Sequence, residues 1–336
     1  MKAFDNKLAI STSSLGLHPS HSLDRKIHAA ASHGFKGIEI VHADLKDYSA
    51  NRNLHILSGA DRIRQLCQEE GLEILSLCPF ENFEGDNSPL EGRLNVAADW
   101  IKIARILGAT YLQVPAQFSK DAVGDDTLIA SELQQLADLG SAAEPVISIA
   151  YEPMSWSIFC STWQDSLRLA NLVDRSNFGI CLDTFHVASK LWGSPYDPYG
   201  KYPNGDKILA DSLRDFVQNF PLEKMFYIQL SDGERFDPPF SDEHPWYVEG
   251  EAAEFTWSKH ARPFPLEVEL GGYLPAKEIV QAWVFEKGFQ GWISLESFDR
   301  RMRERSVEPE HCASRAESSL QRLQGSLCSG KSQLKL

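Results

Sequence analysis

Four residues with oxygen-bearing side chains each follow a short apolar run in the second half of the chain. They are Glu152, Asp183, Gln229 and Glu296, and the runs before them have the aliphatic and β-branched composition of strands. Parallel strands bring their carboxyl ends to the same side of a sheet or barrel, so we expect these four side chains to lie close together. The chemistry of such a group depends on how the charges of its carboxylates are balanced.

A divalent metal ion is the simplest partner for this group. Three carboxylates at the mouth of a barrel repel one another, and burial raises their pKa values until they become neutral unless a cation lies between them. Carboxylate and amide oxygens form a hard ligand set, which favours Mg²⁺, Mn²⁺ or Co²⁺ over structural Zn²⁺. The sequence therefore predicts a metal site formed by Glu152, Asp183, Gln229 and Glu296, with open positions for a substrate.

Each of these residues also has a structural explanation when it is taken alone. Glu152 could be an ion-pair partner, and Asp183 could cap the segment that follows it. Gln229 could satisfy backbone groups of its own strand, and Glu296 could pair with an arginine of the segment after it. The shared position at the ends of strands five to eight favours the metal site, because four separate coincidences would otherwise be needed.

Three further residues could act on a substrate. His186 follows Asp183 by three residues and is the best candidate for a general acid or base, although a single histidine is more often structural. Ser258 and Arg262 lie four residues apart in a later loop. An arginine there suits a substrate carboxylate, which it can hold through two parallel hydrogen bonds. A solvated loop arginine is an equally good interpretation at this point.

The elements that must position these residues alternate along the chain. Apolar runs rich in β-branched residues occur at 8–14, 37–41, 72–80, 110–114, 146–153, 178–186, 224–232 and 291–297. Segments with helical spacing lie between them, including 23–32, 61–69, 92–107, 129–141 and 163–173. Several runs are apolar or small on both faces, as expected of parallel strands covered inside and outside. Eight βα units predict an α/β fold of the (β/α)8 TIM barrel type.

Two connections in this pattern are long, namely 187–205 after the sixth strand and 233–273 after the seventh. The loops after the strands form the active-site face of a TIM barrel, and loops longer than about 12–15 residues are usually lids or binding loops. We expect both connections to enclose the substrate. No linker interrupts the pattern, which predicts one catalytic domain over 1–327 and a polar, flexible tail over 328–336.

Composition and charge limit the possible partners. The chain has 336 residues and a formal net charge of −14, which argues against a nucleic-acid partner and favours a small organic substrate. Its six cysteines form no CxxC pair, and no apolar run of about eighteen residues predicts a membrane helix. We expect a cytoplasmic enzyme with reduced cysteines and no membrane partner, and a homo-oligomer is compatible with the sequence.

The motifs around these residues resemble the 3-dehydroshikimate dehydratases of the xylose-isomerase-like TIM barrel superfamily. The resemblance is carried by the segments 78–85, 151–156, 173–186, 227–235, 257–262 and 288–300. Wider relatives such as sugar isomerases and epimerases commonly have a histidine at the position of Gln229, and a glutamine there is similar to a group of the dehydratases. One departure is visible, because some bacterial members have an arginine where this chain has Glu81, which leaves the substrate contacts of the third strand open.

The resemblance implies a metal-dependent lyase that dehydrates 3-dehydroshikimate to protocatechuate, either in quinate and shikimate catabolism or in a branch that supplies protocatechuate. It implies that the strand-end group binds Mg²⁺, Mn²⁺ or Co²⁺, that His186 transfers protons, and that Ser258 and Arg262 contact a carboxylated substrate. The alternative in the same superfamily is a sugar or cyclitol epimerase, isomerase or dehydratase that uses the metal to stabilise an enediolate. Arg262 separates these two hypotheses, because a neutral sugar does not need it.

Overall fold

A closed barrel of eight parallel strands forms the centre of the computed structural model, which describes residues 5–330. The barrel strands are β1 (Leu8–Ser11), β2 (Gly37–Val41), β3 (Glu73–Cys78), β4 (Tyr111–Pro115), β5 (Ser148–Glu152), β6 (Phe178–Asp183), β7 (Met225–Leu230) and β9 (Trp292–Leu295). Two short strands, β8 (Ala261–Arg262) and β10 (Phe298–Asp299), form a separate antiparallel pair. Each barrel strand pairs with its neighbour in the chain order, and β9 closes the barrel on β1.

Helices connect the strands on the outside of the barrel. They are α1 (Leu23–Ser32), α2 (His42–Ala50), α3 (Ile56–Glu69), α4 (Leu90–Leu107), α5 (Asp126–Ser141), α6 (Trp163–Val173), α7 (Thr184–Leu191), α8 (Gly205–Asn219), α9 (Ala253–His260), α10 (Ala276–Val280) and α11 (Pro309–Gly330). Local sequence starts several of them. Thr162 and Asp165, for example, form a reciprocal capping box at the start of α6. The predicted TIM barrel is confirmed, and a long connection follows β7. The connection predicted after the sixth strand, 187–205, begins within α7, because Thr184 starts that helix directly after β6.

Side chains of the barrel strands alternate between the inside of the barrel and the surrounding helices. A small apolar cluster fills the inside and consists of Ala9, Leu75, Ala150, Cys181 and Tyr227. The large apolar core lies outside the strands, where residues such as Ile149 and Ile180 pack against the helices. Asp183 of β6 stands opposite Gln229 of β7 in the parallel register, so polar residues replace the apolar filling at the carboxyl ends of these strands.

The structure corrects two of the predicted elements. The sixth strand does not extend to His186, because Asp183 ends β6 and its Oδ1 accepts a hydrogen bond from the backbone N–H of Phe185 at 2.8 Å, which starts α7. His186 therefore lies in the first turn of a helix. The connection 233–273 is not without structure, since it contains α9 and β8. Phe298 of β10 pairs with Arg262 of β8, which ties this connection to the chain that follows Glu296.

Asp232 anchors the long connection after β7 to the barrel. Its carboxylate accepts hydrogen bonds from the backbone N–H groups of Gly233, Leu266, Tyr273 and Leu274 at 2.7–3.1 Å. The start, middle and end of the connection are thus held by one buried side chain. Ordering so many residues costs conformational entropy, and these hydrogen bonds offset part of that cost.

The remaining sequence expectations concern the cysteines, the membrane and the chain end. The six cysteines all lie within residues 5–330, and none of them forms a disulfide. Within residues 5–330, no helix is long and apolar enough to cross a membrane. The single domain over 1–327 stays a prediction. Of the predicted tail at 328–336, the first three residues form the end of α11 and residues 331–336 lie outside the described residues.

A carboxyl group outside the barrel is buried and forms no ion pair within residues 5–330. Glu84 lies in the loop after β3 and is 1% exposed. Its Oε1 accepts hydrogen bonds from the backbone N–H of Gln117 at 2.6 Å and from the hydroxyl of Tyr151 at 2.8 Å. Its Oε2 has no hydrogen-bond partner in the described part of the chain. Burial raises the pKa of Glu84 to about 7.

The buried Glu84 should make the stability of the protein depend on pH. The folded state binds the proton more tightly than the unfolded state, so this contribution to stability is fully present below the unfolded pKa of 4.5 and is lost as the pH rises to about 7. Glu84→Gln imitates the protonated acid and removes this dependence. We expect the variant to match the wild type at about pH 4 and to exceed it by about 3 kcal/mol in unfolding free energy at about pH 8.

Urea denaturation at both pH values measures this effect. The matched control is Glu91→Gln, which changes an exposed glutamate in the first turn of α4. If the unfolding free energies of the wild type and of Glu84→Gln change with pH in parallel, ionisation of Glu84 does not destabilise the fold.

Candidate metal centre and substrate cavity

A cavity of about 260 Å³ opens at the carboxyl ends of the barrel strands. It is lined by Glu152, Trp156, His186, Ser258, Arg262 and Glu296, among others. Six of the seven residues proposed from the sequence therefore lie at or beside one cavity, since Asp183 contacts both Arg262 and His186. The seventh, Gln229, lies deeper inside the barrel and is fully buried.

Glu152, Asp183 and His186 form the tightest group of possible metal ligands. Their ligand atoms all lie within 4.8 Å of one another, and all three residues are buried. His186 Nε2 lies 3.4 Å from Glu152 Oε1 and 3.9 Å from Asp183 Oδ2. Within the described residues, neither Glu152 Oε1 nor His186 Nε2 has a hydrogen-bond partner. Two buried atoms without partners thus face each other at the centre of the site.

Burial raises the pKa values of the carboxyl groups of the site. Burial raises the pKa of Glu152 well above its usual range and also raises that of Asp183, and the neighbouring carboxylates raise the pKa of Glu152 further. Burial raises the pKa of Glu296 to about 8, although Arg262 opposes the shift. The same burial lowers the pKa of His186, so its imidazole is neutral near pH 7. The group needs positive charge to hold its carboxylates ionised.

Arg262 supplies part of that charge. Its Nη2 donates to Asp183 Oδ2, to Ser231 Oγ at 2.9 Å and to Glu296 Oε2 at 3.3 Å. Its Nη1 donates to Ser258 Oγ at 3.1 Å. The side chain is 1% exposed, so the alternative of a solvated loop arginine is wrong.

Aromatic rings also hold the Arg262 guanidinium in place. Its central carbon lies 4.7 Å from the ring centre of Phe185 and 5.1 Å from that of Phe298. One ring comes from the start of α7 and the other from β10, so two separate parts of the chain fix the orientation of the fork.

His186 is oriented by the loop after β5. The backbone N–H of Ser155 donates to Nδ1 at 3.1 Å, and Ser155 Oγ lies 3.3 Å from the same atom. The ring of Trp156 meets the imidazole edge-on with ring centres 4.7 Å apart. Because Nδ1 is engaged by Ser155, Nε2 is the ring atom that can exchange a proton with a molecule in the cavity.

The arrangement of these residues fits a divalent cation. A single Arg262 guanidinium stands against the carboxyl groups of Glu152, Asp183 and Glu296, and their raised pKa values show that it does not balance them. A divalent ion would favour ionised carboxylates, because metal binding displaces their protons. The partnerless Glu152 Oε1 is a ready ligand atom. Asp183 combines this position with its capping role, so the two sequence interpretations of Asp183 are compatible.

Three residues of the site were not found from the sequence. Gln113 of β4 donates from Nε2 to Glu152 Oε2, Ser155 orients His186, and Glu39 of β2 accepts hydrogen bonds from Gln229. Glu39 carried a possible signal, because a glutamate in the middle of the apolar run 37–41 is unusual for a strand buried on both faces.

The acidic side of the cavity comes from the loop after β3. Glu81 lines the cavity with an exposed side chain, and partial desolvation of its carboxyl group raises its pKa. Lys259 lines the same cavity, but its Nζ pairs with Glu251 Oε2 at 2.7 Å. Arg262 is the arginine among the residues that line the cavity, and it comes from the seventh barrel loop rather than the third.

Comparison with known proteins places the chain in a class and then in a family. The sequence profile described as the xylose isomerase-like TIM barrel matches residues 27–323, and the chain belongs to that class. It is 38% identical over 327 residues to the 3-dehydroshikimate dehydratase of Neurospora crassa, which covers 92% of this chain and 91% of that protein. The chain is therefore a member of the 3-dehydroshikimate dehydratase family.

A second relative and two solved structures extend the comparison. The 3-dehydroshikimate dehydratase of Pseudomonas aeruginosa is 31% identical over 284 residues, covering 83% of this chain but only 37% of that longer protein. A fusion protein of a xylose isomerase-like TIM barrel and 4-hydroxyphenylpyruvate dioxygenase superposes with a TM-score of 0.75 at 24% identity, covering 98% of this chain and 44% of its own. The structure of the IOLI protein with a binding zinc atom superposes with a TM-score of 0.70 at 18% identity, covering 96% of this chain and 99% of its own. These structures share the fold.

The geometry of the site predicts different effects for two of its residues. Glu152→Ala removes a ligand atom and should lower the bound divalent metal by about tenfold or more, because the remaining carboxylates cannot complete the set. His186→Ala should retain the metal within about twofold and lose most of the catalytic activity if its imidazole transfers protons, as the sequence predicts.

Elemental analysis after dialysis against Mn²⁺ or Co²⁺ measures the bound metal in both variants. Glu132→Ala is the control for loss of a buried glutamate, since Glu132 pairs with Arg93 away from the cavity. Loss of metal from the His186 variant would make His186 a ligand, as its place in the tight group allows.

Proposed function

We propose that this protein is a metal-dependent lyase that dehydrates 3-dehydroshikimate to protocatechuate. The observation that carries the proposal is the match to the Neurospora crassa dehydratase along nine-tenths of both chains. The cavity supports it, because it combines buried carboxylates, a histidine and an arginine in a volume that suits one six-membered ring. The charge of −14 is no obstacle to a small anion if a buried arginine receives its carboxylate.

Glu152, Asp183, Gln229 and Glu296 would hold the divalent metal. Bound there, a divalent ion supplies Lewis-acid stabilisation of negative charge that develops on a substrate carbonyl oxygen. Mg²⁺, Mn²⁺ and Co²⁺ suit this oxygen-rich set of ligands. Gln113 keeps Glu152 in place by donating to the carboxylate oxygen that does not face His186.

His186 would remove the proton from C4 of the substrate through Nε2. Burial keeps the imidazole neutral, and in the tautomer whose Nδ1–H donates to Ser155 Oγ the lone pair of Nε2 can accept the proton. The electron pair of the broken C4–H bond moves toward the C3 carbonyl, and it then expels the C5 hydroxyl group as the C4–C5 double bond forms. The proton on His186 leaves with that hydroxyl as water. The resulting dienone tautomerises to the aromatic product, and no electron acceptor is needed.

Arg262 and Ser258 would hold the carboxylate of the substrate. The guanidinium is preorganised by the rings of Phe185 and Phe298 and by Ser231, so little freedom is lost when it receives a ligand. Ser258 Oγ lies 3.1 Å from Nη1 and offers a hydroxyl donor beside the fork. The aromatic ring of Trp156 and the side chain of Met154 line the cavity and cover the apolar edge of the substrate ring.

Metal removal and restoration test the proposed reaction. The protein is stripped with chelator and mixed with 3-dehydroshikimate, and the ultraviolet absorbance of protocatechuate is followed. We expect no product without metal and turnover after addition of Mg²⁺, Mn²⁺ or Co²⁺, with rates that rank the three ions. Absence of product with all three ions would overturn the proposed reaction.

Substitution of Arg262 tests the class of substrate. Arg262→Gln removes the charge that receives the carboxylate, and we expect KM for 3-dehydroshikimate to rise by about 30-fold or more. Arg300→Gln is the matched control, because Arg300 pairs with Glu234 outside the cavity. Metal content is measured in both variants, since Arg262 also touches Asp183 and Glu296. A KM that does not change would overturn the assignment of Arg262 to the substrate carboxylate.

A further inference from the structure

The carboxylate of Glu39 lies inside the barrel, under the ends of the strands that form the cavity. It is fully buried and stands at the middle of β2. Ser76 Oγ and Tyr227 Oη each donate to its Oε2 at 2.8 Å, and Ser294 Oγ donates to its Oε1 at 2.5 Å. These donors come from three other barrel strands, β3, β7 and β9. The proposed reaction does not use this carboxylate.

Gln229 is the fourth donor to Glu39. Its amide nitrogen Nε2 lies 3.1 Å from Glu39 Oε1 and 3.2 Å from Glu39 Oε2, so the nitrogen is shared between the two carboxylate oxygens. Within residues 5–330, every hydrogen-bond partner of the Glu39 side chain donates to it, and the carboxylate therefore acts purely as an acceptor. A carboxylate in that state cannot bind the oxygen end of the amide.

The orientation of this amide decides whether Gln229 can be a metal ligand. A glutamine side chain has an oxygen end and a nitrogen end of nearly equal shape, and only the oxygen has a lone pair for a cation. A turn of the amide by half a rotation would present N–H groups to the metal instead. Because Glu39 binds Nε2, Oε1 is the end of the Gln229 amide that can face the metal. Cys181 Sγ lies 3.2 Å from Oε1 and is a weak donor to it.

We propose that Glu39 is a positioning residue of the metal site, which binds Nε2 of Gln229 and thereby fixes Oε1 of the same amide as the metal-facing end. This inference rests on the metal site of the proposed function. Partners of metal ligands commonly act in this way, and their loss weakens metal binding by about 10-fold to 100-fold. The role also explains why a glutamine is usable at this position, where a freely turning amide would be a poor ligand.

An exchange of the two side chains tests the proposal by metal affinity alone. Glu39→Gln lets the facing amides pair in either orientation, and we expect the Mn²⁺ dissociation constant to rise by about 10-fold to 100-fold. Adding Gln229→Glu should restore most of the affinity, because a carboxylate has no nitrogen end and the new amide at position 39 can donate to it. Isothermal titration calorimetry, or the electron paramagnetic resonance signal of free Mn²⁺, measures the constants without any turnover.

Two controls separate positioning from a general effect on the fold. Glu84→Gln makes the same substitution at an equally buried glutamate outside the barrel, and should leave the Mn²⁺ dissociation constant within about twofold. Thermal unfolding shows whether each variant is folded. If Glu39→Gln does not fold, Gln229→Glu alone serves, because it places two carboxylates in contact and should bind Mn²⁺ more weakly than the wild type.

The outcomes distinguish this proposal from the metal site itself. A wild type that binds no divalent ion would refute the metal site of the proposed function. If the wild type binds Mn²⁺ and the Glu39→Gln variant binds it with equal affinity, only the positioning role is overturned. Weak binding by Glu39→Gln without recovery in the double variant would also overturn it, as would a Gln229→Glu variant that binds more tightly than the wild type.

Discussion

The burial of three carboxyl groups side by side is the constraint to which the rest of the site responds. Glu152, Asp183 and Glu296 stand where strands end and water is excluded, and the cost of keeping them ionised rises with every neighbour. The protein answers with Arg262, with hydrogen-bond donors such as Gln113, and with a set of oxygen ligands that suits a divalent ion. The shortage of positive charge destabilises the ionised carboxylates, and it also makes the site able to bind a cation.

Much of the support for the site comes from elements distant in sequence. Ser155 reaches His186 from the loop after β5, and Glu39 reaches Gln229 across the inside of the barrel. Asp232 fixes the connection that carries Ser258 and Arg262. A barrel allows this division because every strand ends on the same face, so residues far apart along the chain become neighbours there. The geometry of the site is therefore a property of the whole fold and not of a few local motifs.

The sequence predicted the parts of this arrangement that depend on periodicity and failed where the structure depends on contacts. The alternating strands and helices located the ends of β5, β6, β7 and β9 to within about three residues, and with them the proposed ligand group. His186 was placed on a strand because its apolar neighbours resemble one, and the helix start at Asp183 is set by a single hydrogen bond. Glu39 could not be assigned a partner, since Gln229 lies 190 residues away and only closure of the barrel brings them together. The burial of Arg262 likewise depends on the pairing of two strands of two residues each, which are too short to give a sequence pattern.

The pairing of β8 with β10 has a consequence for how such enzymes can diversify. It places Arg262 opposite Phe298, two residues beyond Glu296, so the proposed anion-binding residue and the last member of the ligand group belong to one hydrogen-bonded unit. Recombination between related barrels with a crossover anywhere from Arg262 to Glu296 would join halves that were not selected together. We therefore expect a change of substrate by exchange of loops to preserve the site only when the stretch from Asp232 to Asp299 is replaced as a whole.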